Sequence, residues 1–171
     1  MQIRTAQTKD TTELQRLIAE FRVALAEVRG RVRDIDLNAA QAELAEYHVK
    51  GFPIYVAEAE LGELVGYLVC RVEGEVVWAE SLYVRPNVRR QGIGTALYAQ
   101  AEQLAQELGG DAPYNWVDSD NDKIIRFLQQ RGYNVLNLIE LRRPYTGEEL
   151  AHRVQVGDYE FDRRQFNPRL H

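Results

Sequence analysis

The feature that most constrains the fold is a run of three β-strand patterns with almost nothing between them. The patterns cover residues 53–60, 64–74 and 75–84, and the spacers LGE and EGE that join them are short and contain glycine. Connections this short permit only antiparallel pairing of consecutive strands. The sequence therefore predicts an antiparallel sheet against which the other elements must pack.

Apolar residues recur at helical spacing on both sides of these strands. Helices are expected from Thr8 or Asp10 to Gly30, at about 35–48, at 92–108 and at 120–132. Further strand patterns cover 2–6, 112–119 and 133–143, and 152–164 is either a strand or an irregular arm. The order β-α-α-β-β-β-α-β-α-β predicts an α/β (α+β) fold, with a mixed, mostly antiparallel central sheet flanked by helices on both faces.

Composition restricts the class of protein. The chain has 171 residues, of which 45% are apolar and 27% charged, which suits one globular domain over 1–171. The net charge of −5 disfavours a nucleic-acid binder. No apolar run approaches the roughly 18 residues that span a bilayer, and the start MQIRTAQTKD lacks a signal-peptide pattern. We expect a cytoplasmic protein with neither nucleic-acid nor membrane partners.

The side chains that commonly bind metals or form disulfides are few. Cys70 is the only cysteine and lies in the apolar run YLVCRV, so a packing role is expected. The three histidines are His48, His152 and His171, and they lack the spacing of metal ligands. We therefore expect no metal site.

The segment VRPNVRRQGIGT (84–95) joins the third central strand to the next helix. The first N–H groups of a helix lack intrahelical partners and attract anions, and glycine lets a phosphate approach the backbone. A Walker A loop would need Gly-Lys-Ser/Thr, and a dinucleotide loop would need Gly or Ala where Leu97 stands. Either a pyrophosphate loop or a plain helix start with solvated arginines remains.

A second motif bears on that choice. Arg89-Arg90-Gln91-Gly92-Ile93-Gly94 resembles the R/Q-x-x-G-x-G/A motif of the GNAT superfamily of acetyl-CoA-dependent N-acetyltransferases. Asn121, followed by Gly132-Tyr133, resembles the N-x(10)-G-F/Y segment of the same family. The preceding LYVRP, the following helix and the element order also look like that family over about 2–143.

The resemblance implies acetyl-CoA as the cosubstrate and assigns its contacts. The N–H groups from Arg90 to Thr95 would meet the pyrophosphate, and the backbone of Leu82 and Val84 would pair with pantetheine. Asn121 would bond pantetheine or the adenine-side arm, and Phe127 and Leu128 would flank the thiol end. The implied cofactor-binding residues are Leu82, Tyr83, Val84, Arg89, Arg90, Gln91, Gly92, Ile93, Gly94, Thr95, Asn121, Phe127 and Leu128.

The resemblance also implies direct acetyl transfer to a primary amine, which needs a base and, optionally, an acid. Glu80 is the candidate base because it is a carboxylate within the otherwise apolar strand VVWAESLYV, where it is either buried or faces a cleft. A structural or substrate-orienting role for Glu80 is the alternative. The position of the family's usual tyrosine acid holds Leu128, so Tyr133 is the candidate, with Tyr83 or Tyr114 as alternatives.

The sequence does not identify the acceptor. Small-molecule and peptide amines both fit, and glutamates around the hairpins would suit a cationic acceptor, although solvated hairpin edges explain them equally. Leu128 in place of tyrosine keeps a second function open, a non-catalytic CoA-binding or interaction module. The segment 144–171 lies beyond the resemblance and would form a C-terminal strand or arm, and a homodimer is implied as it is in relatives.

Overall fold

The computed structural model describes residues 1–164. Its helices and strands agree closely with those predicted from the sequence over the first two thirds of the chain. The elements, in chain order, are β1 Gln2–Thr5, α1 Thr11–Val28, α2 Leu37–Val49, β2 Ile54–Glu58, β3 Leu64–Glu73, β4 Val76–Val84, α3 Ile93–Glu107, α4 Asp122–Gln130, β5 Leu150–Val156 and β6 Tyr159–Arg164. Every predicted element up to α3 is present with boundaries shifted by only a few residues.

The chain forms two compact units. The first contains residues 1–25 and 33–116, and the second contains 26–32 and the described residues from Val117 onward. In the first unit, β1 to β4 form an antiparallel sheet in the order β1-β2-β3-β4. The predicted antiparallel meander is therefore confirmed.

Helices cover both faces of this sheet, because neighbouring strand residues point to opposite sides. Tyr67 and Val69 of β3 pack in a core with α1 and α2. Leu68 and Cys70, the residues that alternate with them, pack in a second core with α3. The β3 strand is thus buried on both faces, which explains why its sequence is continuously apolar.

Gly66 allows β3, β4 and α3 to approach closely. A Cβ atom at Gly66 would lie 2.7 Å from the backbone oxygen of Tyr83 and 3.2 Å from a Leu97 methyl carbon. Contacts that short do not occur between real atoms without a backbone shift. Glycine at this point therefore fixes how near α3 sits to β4.

Two predicted strands are not formed. Of 112–119, only Tyr114 makes a bridge, parallel to Trp78 of β4, with Ala79 N donating to Tyr114 O at 2.9 Å and Tyr114 N donating to Val77 O at 2.7 Å. The segment 133–143 has no strand residues, although its side chains are strongly apolar, and Val135 is 90% exposed. A strand exists only through hydrogen bonds to a partner strand, which an alternating sequence cannot guarantee.

The C-terminal strand prediction is extended by the structure. The strands β5 and β6 pair as an antiparallel hairpin, so 152–164 contains parts of two strands rather than one. Gly157, with φ of 60°, lies in the turn between them. The remainder of the expected C-terminal arm, 165–171, lies outside the described residues.

Candidate functional site

The loop from β4 to α3 begins with a single turn of tight helix at Pro86–Val88. Proline suits the first position of such a turn because its fixed φ is already helical. Arg85, just before the turn, donates to Val65 O at 2.9 Å and so continues the β3–β4 ladder by one residue. The loop therefore leaves the sheet at a fixed point.

The N-terminus of α3 has no capping side chain. Its N-cap is Gly92, in the left-handed region with φ of 81°, and Ala96 N donates to Gly92 O at 2.9 Å. The N–H groups of Ile93, Gly94 and Thr95 precede the first intrahelical bond and lack helical partners. A Cβ at Gly92 would meet nothing within 4 Å, so no neighbouring atom crowds the backbone at this glycine. Unpartnered N–H groups and the helix dipole favour an anion, so the predicted anion site at the start of α3 stays a prediction with this local support.

Arg90 is the only non-glycine residue with a positive φ among the described residues, at 65°. It lies two residues before Gly92, so left-handed residues flank Gln91. Alternation of this kind turns successive N–H groups toward one concave side, as in known anion-binding backbone nests. A non-glycine residue in this region costs about 1–2 kcal/mol, so the loop holds strain at the predicted phosphate site.

Arg85 does not contribute its charge to this loop. Its guanidinium contacts carboxylates of Glu20 at 3.2 Å and Glu63 at 2.6 Å, and Glu13 at 3.5 Å. These ion pairs tie the end of β4 to α1 and to the turn between β2 and β3. Arg85 therefore positions the loop rather than binding a ligand.

Arg89 and Arg90 behave differently. Arg89 folds back onto the end of β4, where its Nε donates to Val84 O at 2.7 Å and its guanidinium lies 5.6 Å from the Tyr83 ring centre. Arg90 is exposed, and its side chain has no ion pair or hydrogen bond within the described chain. Of the two predicted phosphate-binding arginines, Arg90 is the one free to meet a phosphate.

The strand β4 contains a β-bulge at the candidate base. Val69 pairs with Ser81 and Cys70 with Ala79, so Glu80 has no residue opposite it. A bulge alters strand direction and places two consecutive side chains on one face. Residue types do not predict this irregularity, because a bulge is defined by the register between two strands.

The bulge is anchored from α2. Ser81 is buried, and its hydroxyl lies 3.3 Å from that of Tyr47, which donates to Glu43 at 2.5 Å. Arg22 completes the group with two bonds to the Glu43 carboxylate, at 2.6 and 2.8 Å. Burial raises the pKa of Tyr47, which keeps its hydroxyl protonated. The backbone next to Glu80 is therefore held by a hydrogen-bonded group inside the core.

The outer edge of β4 presents the backbone of two predicted cofactor residues. Arg85 N points to β3, and residues alternate along a strand, so the polar groups of Val84 and Leu82 point away from β3. Within the described chain, the outer edge of β4 is engaged at the bridge to Tyr114 and at Val84 O, which accepts from Arg89 Nε. Leu82 and Val84 are thus placed where an extended ligand could pair with them.

Tyr83 is placed differently from its neighbours. Its backbone pairs with Tyr67 of β3, and its side chain is buried in the core with α1, where the hydroxyl donates to Glu20 at 3.3 Å. Burial raises the pKa of Tyr83. The backbone and the side chain of Tyr83 are therefore both engaged within the first unit, and its roles as a cofactor contact and as an alternative acid stay predictions.

Of the two placements expected for Glu80, burial or a position facing a cleft, the structure excludes burial. Its side chain is 36% exposed, and its carboxylate lies 3.2 Å from Arg71 Nε. Arg71 also places its guanidinium 4.8 Å from the Trp78 ring centre. Glu80 is therefore accessible to solvent and lies against a cross-strand arginine.

The second unit contains the remaining predicted residues. Asn121 is the N-cap of α4, and its side-chain oxygen accepts from Ile124 N at 3.4 Å. Leu128 is buried, and its carbonyl accepts from Tyr133 N at 3.1 Å, a hydrogen bond that holds the residues after α4 against its last turn. Phe127 is half-buried. The first unit thus contains the candidate residues from Glu80 to Thr95, and the second contains those from Asn121 to Tyr133. That the two sets form one site stays a prediction.

Comparison with known proteins gives the family. The family model described as "Acetyltransferase (GNAT) family" matches residues 15–133. The chain belongs to the acetyltransferase (GNAT) family. The peptidyl-lysine N-acetyltransferase YjaB of Salmonella typhimurium strain LT2 is 31% identical over 140 residues, covering 78% of this chain and 87% of that protein.

Solved structures agree on the GNAT fold. A protein described as "a probable acetyltransferase" has a TM-score of 0.68 and 20% identity, covering 86% of this chain and all of that one. The aminoglycoside enzyme AAC(6')-Iy, solved with a bisubstrate analogue built on CoA, has a TM-score of 0.62 and 18% identity, covering 84% of this chain and 97% of that one. At these identities the likeness concerns the fold alone.

Sequence reasoning missed several residues that lie near the candidate base Glu80. Arg71 and Trp78 face each other across the β3–β4 ladder, and Trp116 stacks near Trp78 with ring centres 6.0 Å apart. The sequence signal for this contact is an arginine within an apolar strand pattern that is followed by a tryptophan on the next strand. It does not predict the pair, because cross-strand partners depend on register, which the bulge at Glu80 changes.

None of the helices among residues 1–164 is long and apolar enough to cross a membrane. Over the same residues, no group of three or more histidine, cysteine or acidic side chains is arranged to hold a metal ion.

Proposed function

We propose that this chain is an acetyl-CoA-dependent N-acetyltransferase that moves an acetyl group to a primary amine by direct attack in a ternary complex. The observation that carries the proposal is the uncapped N-terminus of α3, with strained Arg90 beside it and the open edge of β4 leading to it. The relative named as a peptidyl-lysine N-acetyltransferase supports an amine acceptor.

In this proposal, the donor binds along a continuous backbone surface of the first unit. The pyrophosphate lies against the N–H groups from Arg90 to Thr95, with the Arg90 guanidinium as its cation. Pantetheine pairs with the outward polar groups of Leu82 and with Val84 N–H. Arg89 already occupies Val84 O, which limits pantetheine pairing at that residue to the amide unless Arg89 moves.

Acetyl transfer needs a base, an oxyanion donor and a proton donor, and in this proposal these groups lie outside the loop that binds the pyrophosphate. The acceptor ammonium gives a proton to Glu80, directly or through water, and the free amine attacks the thioester carbon. Attack forms the C–N bond and leaves a negative charge on the former carbonyl oxygen, which outward N–H groups of β4 stabilise. The C–S bond then breaks as the C=O bond re-forms, and the nitrogen releases its second proton to solvent. The departing CoA thiolate takes a proton, for which Tyr133 is the proposed donor, and Tyr133 regains a proton from solvent.

Calorimetry with acetyl-CoA, followed by an acceptor screen, tests the proposal. We expect saturable binding of acetyl-CoA and release of free thiol in the presence of a suitable amine. Absence of binding at millimolar acetyl-CoA would refute both donor binding and transfer. Matched titrations with pantetheine, which has no phosphate, separate the contribution of the pyrophosphate loop from that of the β4 edge.

One observation favours a second function, a non-catalytic CoA-binding or interaction module. Leu128, at the position of the family's tyrosine acid, is 6% exposed and serves as packing in the second unit. A protein that has lost its acid can keep its donor site. Tight acetyl-CoA binding without acetylation of any amine in a broad library would favour this alternative.

The remaining proposals concern cellular context. We propose that residues 1–171 act as a single acetyltransferase domain and that the protein is cytoplasmic and homodimeric, acting on a small-molecule or peptide amine. The sole cysteine, Cys70, is buried and unpaired, which suits a reducing compartment. Light scattering on the purified chain tests the dimer, and a monomer mass at micromolar concentration would contradict it.

A further inference from the structure

Both tryptophans of the chain lie in one surface group next to the candidate base. Trp78 stacks on Tyr114, with ring centres 5.2 Å apart, and on Trp116, at 6.0 Å. We call these three residues the aromatic cluster. Trp116 is 70% exposed and Tyr114 44% exposed. Grouped exposed aromatic side chains are uncommon on soluble proteins and mark binding surfaces.

The aromatic cluster lies on the same face of β4 as Glu80. Arg71 contacts both, since its guanidinium is 4.8 Å from the Trp78 ring centre and its Nε is 3.2 Å from the Glu80 carboxylate. Residues two apart on a strand are separated by about 7 Å. Because the Trp78–Tyr114 bridge is parallel, Trp116 follows Tyr114 in the direction that leads from Trp78 to Glu80.

The charge of this surface is negative. Arg71 is shared between the carboxylates of Glu73, at 2.9 Å, and Glu80, at 3.2 Å, so one cation faces two anions. Both carboxylates are at least one-third exposed. A cation placed over the exposed rings would gain from both the ring faces and the excess carboxylate.

We propose that the aromatic cluster, with Glu73 and Glu80, binds a second, non-reacting ammonium group of the acceptor, which makes an alkyl diamine the preferred substrate class. The inference rests on the proposed acetyl transfer. The reacting amine lies at Glu80, and the alkyl chain brings the distal ammonium over the exposed ring of Trp116, because the Arg71 guanidinium already lies against Trp78. A terminal carboxylate would be repelled there, and a terminal methyl would gain no electrostatic attraction.

Intrinsic fluorescence reads this subsite without any need for turnover, because the chain has 2 tryptophans and both are in the aromatic cluster. The probes are diaminopentane, pentylamine and aminopentanoate, which share one reacting amine and differ at the far end. We expect a saturable emission change with diaminopentane at a concentration on the order of tenfold lower than with pentylamine. Equal responses to these two amines, or no response to either, would overturn the proposal.

Kinetics with saturating acetyl-CoA provide the second measurement. The kcat/KM for diaminopentane should exceed that for pentylamine on the order of tenfold, mainly through KM. Trp116→Leu should lower the kcat/KM for diaminopentane to about that for pentylamine, whereas Trp116→Phe should retain part of the preference. Leu61→Ala, at a 99% exposed residue in the turn between β2 and β3, is the matched control and should change neither value.

The two hypotheses fail separately. If amines are acetylated without preference for the diamine, the proposed function stands and the subsite is refuted. If diaminopentane alters emission selectively but no amine is acetylated, the subsite stands and the proposed transfer is refuted.

Discussion

Replacing Arg90 by glycine should strengthen the fold and weaken donor binding, two effects of opposite sign from one side chain. Arg90 has φ of 65°, which costs a non-glycine residue about 1–2 kcal/mol. Glycine removes that strain but loses about 0.4–1 kcal/mol more chain entropy on folding. The expected net gain in unfolding free energy is therefore about 0–1.5 kcal/mol.

The loss of affinity follows from the position of the guanidinium. Within residues 1–164, the Arg90 side chain makes no ion pair, so its removal leaves no orphaned carboxylate. A hydrogen bond to a charged group contributes about 1.5–3 kcal/mol, which corresponds to a rise in the Kd for acetyl-CoA of about 10- to 150-fold. Because the pair is exposed, this effect should shrink as salt concentration rises.

Urea unfolding of the free protein and calorimetry with acetyl-CoA measure the two quantities. Arg90→Lys is the matched control, since it keeps both the charge and the strained backbone and should leave stability unchanged. An unchanged Kd in Arg90→Gly would refute the phosphate role of Arg90. A loss of more than about 1 kcal/mol in unfolding free energy would refute the argument from strain.

Further predictions concern the base, the core and pH. Glu80→Gln should lower kcat by about 10²–10⁴-fold without altering the Kd for acetyl-CoA, and an unchanged kcat would exclude Glu80 as base. Gly66→Ala should lower the urea-unfolding free energy by about 1–3 kcal/mol, because its Cβ would lie 2.7 Å from a backbone oxygen. Burial raises the pKa of the Cys70 thiol to about 12, so thiol reagents at pH 8 should label it only after unfolding. Hydrogen bonds from Arg4 lower the pKa of Asp10 in the folded chain, so its stabilisation is complete above the unfolded pKa of about 4 and is lost as pH falls through the folded value. Urea unfolding between pH 2 and pH 7 should show this loss, and Asp10→Asn should reduce it.

The loop at 84–95 shows how far sequence reasoning reaches. Its residue types predict an anion site because glycine and a helix start have local consequences that hold in almost any fold. The division of labour among its arginines is not local. Arg85 forms ion pairs with carboxylates on α1 and in the turn between β2 and β3, and Arg89 donates a hydrogen bond to Val84 O. Only packing decides which arginine stays free.

The strand predictions fail where no short turn joins the segment to a neighbouring strand. Residues 53–84 are strands in the sequence and in the structure, since their short turns force neighbours to pair. Residues 133–143 have an equally strong pattern and form no ladder. Their nearest strand patterns in the chain are not joined to them by a hairpin turn, so no local geometry supplies a partner.

The sequence by itself determined the antiparallel meander, the helices on both faces and, through two spaced motifs, the acetyltransferase family, and it predicts an anion site at the start of α3. Each of these depends on residues close in the chain. The tertiary structure alone decided the bulge that leaves Glu80 unpaired, the outward backbone of Leu82 and Val84, and the meeting of Trp78 with Trp116. These depend on strand register and on contacts between distant segments, for which side-chain types along the chain carry no local signal.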